Sequence, residues 1–192
     1  WKLNNDDAIN FGFPKSAYWL RFTVDNRMSG PAEWYFEISY PMLDSVKLFV
    51  PSDDGTYTLK ETGDHLPFEK RDIENVGFVF HLIDNPGART YYIRIITTSA
   101  INFTPRMMST GTFFKELNKE QPILWIYYGL MIVMAIYNLL IFVSTRDRSY
   151  IYYVLFISSY ILMQMSLNGH AFQYLWPHAI WWANNSLPFF MM

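Results

Sequence analysis

Hydrophobic and polar positions alternate along the first part of the chain, which is the pattern of half-buried β-strands. In residues 17–24, one face carries the apolar side chains Tyr18, Leu20, Phe22 and Val24. The predicted strands, all rich in aromatic or β-branched residues, are 17–24, 34–40, 46–50, 76–82 and 91–97. Turn-forming sequences separate them, at Ser29-Gly-Pro, Asp53-Asp-Gly and Asn85-Pro-Gly. Short strands at this spacing predict an antiparallel sandwich.

The pattern changes near residue 121, where long apolar runs replace the alternation. Residues 122–145 contain no Asp, Glu, Lys or Arg, and a second apolar run covers residues 150–167. A membrane-spanning helix needs ~20 apolar residues. We therefore predict transmembrane helices at about 123–145 and 149–168, joined by the turn Arg146-Asp-Arg, and the start of a third at 180–192. The fold class expected is a mainly β external domain followed by all-α transmembrane helices.

This division gives three regions: a β domain at 1–112, a connector at 113–121 and a truncated membrane domain at 122–192. In the connector, Phe113, Phe114 and Leu117 have helical spacing among charged residues, and no Gly/Ser-rich stretch makes it flexible. Because the chain begins at Trp1 and its last apolar run is short, we expect a fragment of a longer protein.

The positions of the arginines predict how the chain crosses the membrane. The turn between the first two helices contains Arg146 and Arg148, whereas the next loop has only His170 and His178 as basic residues. By the positive-inside rule the first turn is cytoplasmic, so the β domain lies outside. An aromatic belt at the outer interface is predicted for Tyr174, Trp176, Trp181 and Trp182.

Several stretches resemble a known family. In the soluble part they are Asn10-Phe-Gly-Phe, Ser16-Ala-Tyr-Trp-Leu-Arg-Phe, Tyr40-Pro-Met-Leu-Asp-Ser-Val, Thr62-Gly-Asp-His-Leu-Pro-Phe and Tyr92-Ile-Arg-Ile. In the membrane part they are Tyr127-Tyr-Gly-Leu, Ala135-Ile-Tyr-Asn-Leu-Leu-Ile-Phe, Arg146-Asp-Arg-Ser-Tyr-Ile-Tyr-Tyr and Leu167-Asn-Gly-His-Ala-Phe-Gln-Tyr-Leu-Trp-Pro. Together they resemble bacterial seven-transmembrane receptors with diverse intracellular signalling modules, with the second class of extracellular domain.

The resemblance implies a jelly-roll-like β domain, similar to carbohydrate-binding modules, in the periplasm. It also implies a multi-pass protein of the bacterial inner membrane with seven helices. A cytoplasmic output module, such as a diguanylate cyclase or a histidine kinase, is expected outside this sequence.

Two predicted strands place an aromatic ring beside an arginine, an arrangement that suits a sugar ligand. Trp19 and Arg21 share a strand face, and so do Tyr92 and Arg94. Aromatic rings stack on the C–H faces of sugars, while guanidinium groups donate to hydroxyls or carboxylates. The alternative is a solvated sheet face, or arginines packed over rings. Arg71, in a predicted loop, is a further ligand candidate, with a surface ion pair as its alternative.

Other chemistry has weaker support in the sequence. Asp6-Asp7 and Asp53-Asp54-Gly55 are calcium candidates, although the second is more simply a hairpin turn. The four histidines lack metal-binding spacing and the chain has no cysteine, so we predict no metal site and no cofactor. No catalytic motif is recognised. Positive and negative charges are interspersed, which argues against nucleic-acid binding.

Three polar residues in the apolar runs need explanation: Asn138, Gln164 and Asn168. Gln164 and Asn168 are four residues apart and share a helix face. Amides within a membrane usually bond across helices, so packing is the simpler role, and a switching role would use the same bonds in two arrangements.

These observations predict a transmembrane receptor that binds a glycan or another small molecule outside the bilayer and signals inward. An external protein–protein or dimerisation module, giving for example a homodimer, is the first alternative. A membrane-anchored glycosidase, with two carboxylates in a cleft, is the second.

Overall fold

The computed structural model describes residues 8–13 and 16–191. Within these residues the strands are β1 (Ile9–Gly12), β2 (Tyr18–Asn26), β3 (Ala32–Ile38), β4 (Ser45–Pro51), β5 (Tyr57–Thr62), β6 (Phe78–Asp84), β7 (Gly87–Ile96), β8 (Ile101–Phe103) and β9 (Pro105–Ser109). The helices are α1 (Thr110–Thr145), α2 (Arg148–Leu167), α3 (His170–Tyr174), α4 (Ile180–Asn185) and α5 (Leu187–Phe190).

The strands form antiparallel sheets, so the predicted antiparallel β fold is confirmed. One sheet has the order β2-β7-β4-β5 and another has the order β6-β3-β9, while β1 pairs with β8. Only Thr104 separates β8 from β9, so these two strands link the β1 pair to the three-stranded sheet. The jelly-roll topology implied by the resemblance is compatible with this order and stays a prediction.

The hydrophobic core lies between the four-stranded and three-stranded sheets. The apolar face predicted for β2 packs against it, and the ring of Phe22 stacks on Phe36 at 4.8 Å and on Tyr91 at 5.1 Å. Burying an aromatic side chain of this size contributes ~1.5–3 kcal/mol. For β2, the alternation therefore predicted both the strand and the face that it buries.

The predicted connector and first membrane helix form one continuous helix, α1. Pro122 lies inside this helix and cannot donate the backbone hydrogen bond of its turn, yet the helix continues on both sides. The composition changes at residue 121, but the backbone conformation does not. The start of α1 also covers the outer face of the three-stranded sheet, where Phe113 joins Tyr35, Val79 and Met108 in a second buried cluster.

The helical region begins with two helices of membrane-spanning length. Both α1 and α2 are long and apolar enough to cross a membrane, by length and composition. They are joined by a short turn in which Arg146 has φ 58° and Asp147 accepts a hydrogen bond from the Ser149 N–H at 2.9 Å. The apolar run predicted as a third helix at 180–192 is divided at Ser186 into α4 and α5, and Pro188 lies at the start of α5.

Candidate functional site

The structure brings four of the predicted ligand residues onto one surface. In the β2–β7 ladder, Trp19 lies opposite Arg94 and Arg21 lies opposite Tyr92. Because neighbouring residues of these strands point into the core, all four side chains point outward. Strands β4 and β5 extend this surface, where Lys47 of β4 pairs with Glu61 of β5 at 3.0 Å. We call the aromatic and basic residues of this surface the aromatic–basic face; they are Trp19, Arg21, Lys47, Phe49, Tyr57, Tyr92 and Arg94.

Ring contacts organise the aromatic–basic face. The Trp19 ring stacks on Phe49 with centroids 5.4 Å apart, and Tyr57 contacts Tyr92 edge to face at 5.6 Å. Trp19 remains 45% exposed, so much of its ring is accessible to a ligand. The sequence did not single out Lys47, Phe49 or Tyr57. The signal for Lys47 and Phe49 was the weak alternation of β4, which becomes meaningful only once β4 is known to pair with β7. Tyr57 lies on β5, which was not among the predicted strands.

Arg71 lies away from this face and is not at the surface. It is only 7% exposed, and its guanidinium donates hydrogen bonds to the carbonyl oxygens of Asn75, Val76 and Gly77. It also lies over the rings of Phe68 and Phe78, at 4.4 and 4.6 Å from their centroids. Burial lowers the pKa of Arg71 to about 10. The bonds of Arg71 hold the segment 68–77 in place.

Arg71 borders a cavity of about 150 Å³ between the β domain and the helical region. We call it the junction cavity. Its lining includes Asp44, Asp64, His65 and Thr98 from the β domain, and Gly169, Phe172 and Asn184 from the helical region. Burial, together with the charge of Asp44, raises the pKa of Asp64 to about 6.

Direct contacts beside the junction cavity connect the two regions. The Phe68 N–H donates to the Pro177 carbonyl at 3.3 Å, and the Asn184 side chain donates to the Asp64 carbonyl at 3.2 Å. The Phe68 and Phe172 rings meet edge to face at 5.7 Å. The loop after α2 therefore packs on the β domain, a contact that the sequence did not predict.

The three predicted polar residues of the helices have different partners. Asn168 donates across helices to the Tyr128 hydroxyl at 2.9 Å. Gln164 donates to the Tyr160 hydroxyl on its own helix, and that hydroxyl bonds Tyr127 of α1. Asn138 bonds only the Met134 carbonyl, one turn earlier, in the described structure. A bond between helices is thus direct for Asn168 and indirect for Gln164.

The Tyr128 hydroxyl, which accepts a hydrogen bond from Asn168, also contacts His170, and His170 in turn contacts Gln121 of α1. The Tyr128 hydroxyl lies 3.4 Å from His170 Nδ1, and His170 Nε2 lies 3.2 Å from Gln121 Oε1. A neutral imidazole satisfies both contacts, because Nδ1 then accepts and Nε2–H donates. Burial lowers the pKa of His170, which favours this neutral form.

The two calcium candidates have separate outcomes. Asp53-Asp54-Gly55 is the turn of the β4–β5 hairpin, where Asp54 accepts from the Thr56 N–H and Asp53 pairs with Arg89. Asp6-Asp7 lies outside the described residues.

Among the predicted interface aromatics, Trp176 and Trp182 contact each other, while Tyr174 packs on Trp125.

Comparisons with known proteins agree with this two-part architecture. The family model described as 7TMR-DISM extracellular 2 matches residues 1–109, and the one described as 7TM diverse intracellular signalling matches residues 120–192. No curated protein matches the chain. A solved GH115 4-O-methyl-alpha-glucuronidase with specificity for decorated arabinogalactans is similar over 54% of this chain and only 14% of its own, with 12% identity and a TM-score of 0.30. That similarity is too low to carry an inference.

The two family models, together with helices long and apolar enough to cross a membrane, identify the chain as part of a transmembrane signalling receptor. The chain belongs to the family of seven-transmembrane receptors with diverse intracellular signalling, as the resemblance implied. It is a membrane protein with an external N-terminal domain, which confirms the external position predicted for the β domain.

Proposed function

We propose that the external domain of this receptor binds a carbohydrate or a related small molecule on the aromatic–basic face. The observation that carries the proposal is the register of β2 and β7, which puts Trp19 beside Arg94 and Arg21 beside Tyr92. A partly exposed indole gives a sugar ring a stacking surface. The guanidinium groups on either side suit hydroxyls or the carboxylate of an acidic sugar.

The effect of ligand binding would be transmitted to the membrane through α1. This helix begins directly after β9, and Phe113 in its first turn stacks on Tyr35 at 4.5 Å. A ligand that binds one pose of the β domain more tightly than another would bias the tilt or rotation of α1. The proposed location is the bacterial inner membrane, with the β domain in the periplasm and an output module in the cytoplasm.

The proposal is tested by a binding screen on the full chain in lipid nanodiscs. The panel contains neutral oligosaccharides, uronic-acid glycans, peptidoglycan fragments and organic acids, with thermal unfolding as the readout. A ligand at 100 times its dissociation constant stabilises the folded state by ~2.7 kcal/mol. Trp19→Ala and Arg94→Ala should abolish the stabilisation.

Two matched variants control for nonspecific loss. Ile83→Ala removes an exposed apolar residue of the other sheet, and Arg27→Ala removes an exposed arginine paired only with Asp25 in the described structure. Both should respond to the ligand as the wild type does. A ligand response that Trp19→Ala and Arg94→Ala leave intact would contradict the proposed face.

A protein partner is the second candidate, and β5 is the feature that favours it. This strand is at the edge of its sheet, and its residues Tyr57 and Leu59 are exposed. An open edge with apolar side chains can add a strand from another chain. Absence of any response in the screen, with self-association that Leu59→Asp abolishes, would favour this function. Turnover of a glycan in the screen would instead favour the glycosidase hypothesis.

A further inference from the structure

Three potential metal ligands meet at the junction cavity. Suitable atoms of Asp44, Asp64 and His65 all lie within 4.8 Å of one another. His65 Nε2 is 3.9 Å from Asp44 Oδ2 and 3.9 Å from Asp64 Oδ1. This cluster is separate from the aromatic–basic face and plays no part in the proposed function.

The backbone explains why residues far apart in sequence come together here. The β4–β5 pairing continues past the strand ends, because the Asp64 N–H donates to the Leu43 carbonyl and the His65 N–H to the Asp44 carbonyl. Gly63 permits this approach, since a Cβ at its position would lie 2.2 Å from the Asp44 carbonyl oxygen. The spacing of the histidines in the sequence therefore gave no sign of the cluster.

One ligand atom of the cluster lacks the partner that burial normally requires. Oδ1 of Asp64 is buried and accepts no hydrogen bond from any residue the structure describes. Asp44, in contrast, accepts from the Thr98 N–H and hydroxyl, which hold its carboxylate in place. The charge of Arg71 acts on Asp64, but its guanidinium donates its hydrogen bonds to the carbonyl oxygens of Asn75, Val76 and Gly77. A buried carboxylate oxygen without a donor is costly unless a cation neutralises it.

The donor set selects the class of cation. One imidazole nitrogen and two carboxylate oxygens suit Zn²⁺, which binds both types at ~2.0–2.2 Å and often keeps a water as its fourth ligand. In a tetrahedron with such bonds the ligand atoms are roughly 3.4 Å apart. The two 3.9 Å separations need only small side-chain adjustments to reach this geometry. The side chain of His65 is half-exposed, and the cavity has room for the water.

We propose that Asp44, Asp64 and His65 bind a Zn²⁺ ion at the junction cavity. The ion would lie beside the Asp64 carbonyl, which accepts the hydrogen bond from Asn184 of α4. A loaded site would therefore fix the loop 62–65 next to the contact between the β domain and the helical region.

The test uses the full chain in lipid nanodiscs, treated with a chelator and then titrated with ZnCl₂ by calorimetry. We expect one Zn²⁺ per chain, with an affinity that Asp64→Asn and His65→Gln each lower at least about tenfold. Neither substitution removes a side-chain hydrogen bond seen in the described structure, so both variants should fold. Circular dichroism verifies that they do.

His178→Gln and Asp54→Asn are the matched controls. His178 faces Glu69 at 3.7 Å in an exposed pair, and Asp54 lies in the β4–β5 turn, both outside the cluster. These variants should bind Zn²⁺ as the wild type does. Absence of stoichiometric binding, or binding that Asp64→Asn and His65→Gln leave unchanged, would overturn the proposal. So would an equal loss in either control.

Discussion

At the scale of single residues, the junction cavity depends on Gly63, which has no side chain. Gly63 lies where the backbone after β5 passes against the Asp44 carbonyl. The sequence shows a glycine between Thr62 and Asp64, a position typical of a turn. It does not show which distant segment approaches that glycine, because the approach depends on the pairing of β4 with β5.

We predict that Gly63→Ala lowers the free energy of unfolding by about 1–3 kcal/mol, because the added methyl group collides with backbone that cannot move alone. Chemical denaturation of the full chain, followed by tryptophan fluorescence, measures the change. Gly30→Ala is the control, since a Cβ there meets no atom within 4 Å. Equal stability of the two variants would show that the close approach at Gly63 is wrong.

At the scale of elements, alternation predicted the longer core strands β2, β3, β4, β6 and β7, and missed β5 and the short strands β1, β8 and β9. β5 was missed because the positions that pair with the inward residues of β4 are the polar Thr58, Lys60 and Thr62, while its apolar residues Tyr57 and Leu59 face outward. The boundary predicted at Pro122, between the connector and the membrane domain, lies inside α1. The composition changes there, but the helix continues. Composition indicates whether a segment lies in water or in lipid, whereas backbone hydrogen bonds decide where a helix ends.

The attachment of α1 to the β domain is tested by two neighbouring phenylalanines. Phe113 is buried on Tyr35, whereas Phe114 is 52% exposed. Phe113→Ala should lower the free energy of unfolding of the β domain by ~3–5 kcal/mol, as for other buried phenylalanines. Phe114→Ala should cost less than about 1 kcal/mol. Urea denaturation of both variants measures this difference, and similar losses would contradict the described packing.

The contact of α1 with His170 should weaken in acid. Burial lowers the pKa of His170 in the folded state, so its neutral ring stabilises the fold above the ordinary value of ~6.5, and this stability is lost as pH falls through the lowered pKa. Protonation also removes the acceptor that Nδ1 offers to Tyr128. Thermal unfolding between pH 8 and pH 5 should show a loss that His170→Gln reduces. Identical pH profiles for the two chains would contradict this assignment.

At the scale of the whole molecule, two separate connections join the β domain to the membrane helices. The first, from β9 directly into α1, was predicted from the absence of a Gly/Ser-rich linker. The second, between Phe68 and the segment with Phe172 and Pro177, joins residues more than a hundred positions apart, and no local pattern indicates it. The aromatic–basic face is intermediate: Trp19, Arg21, Tyr92 and Arg94 were predicted from the sequence, but their meeting required the strand register.

Together, these connections should make the external domain and α1 move as one unit. The chain contains no cysteine, so spin labels at Met28→Cys and Ser144→Cys report a single distance by pulsed electron paramagnetic resonance in nanodiscs. We predict a narrow distance distribution, which a Gly-Gly-Ser-Gly insertion after Asn118 should broaden. A distribution in the uninterrupted chain as broad as in the chain with the insertion would contradict the account.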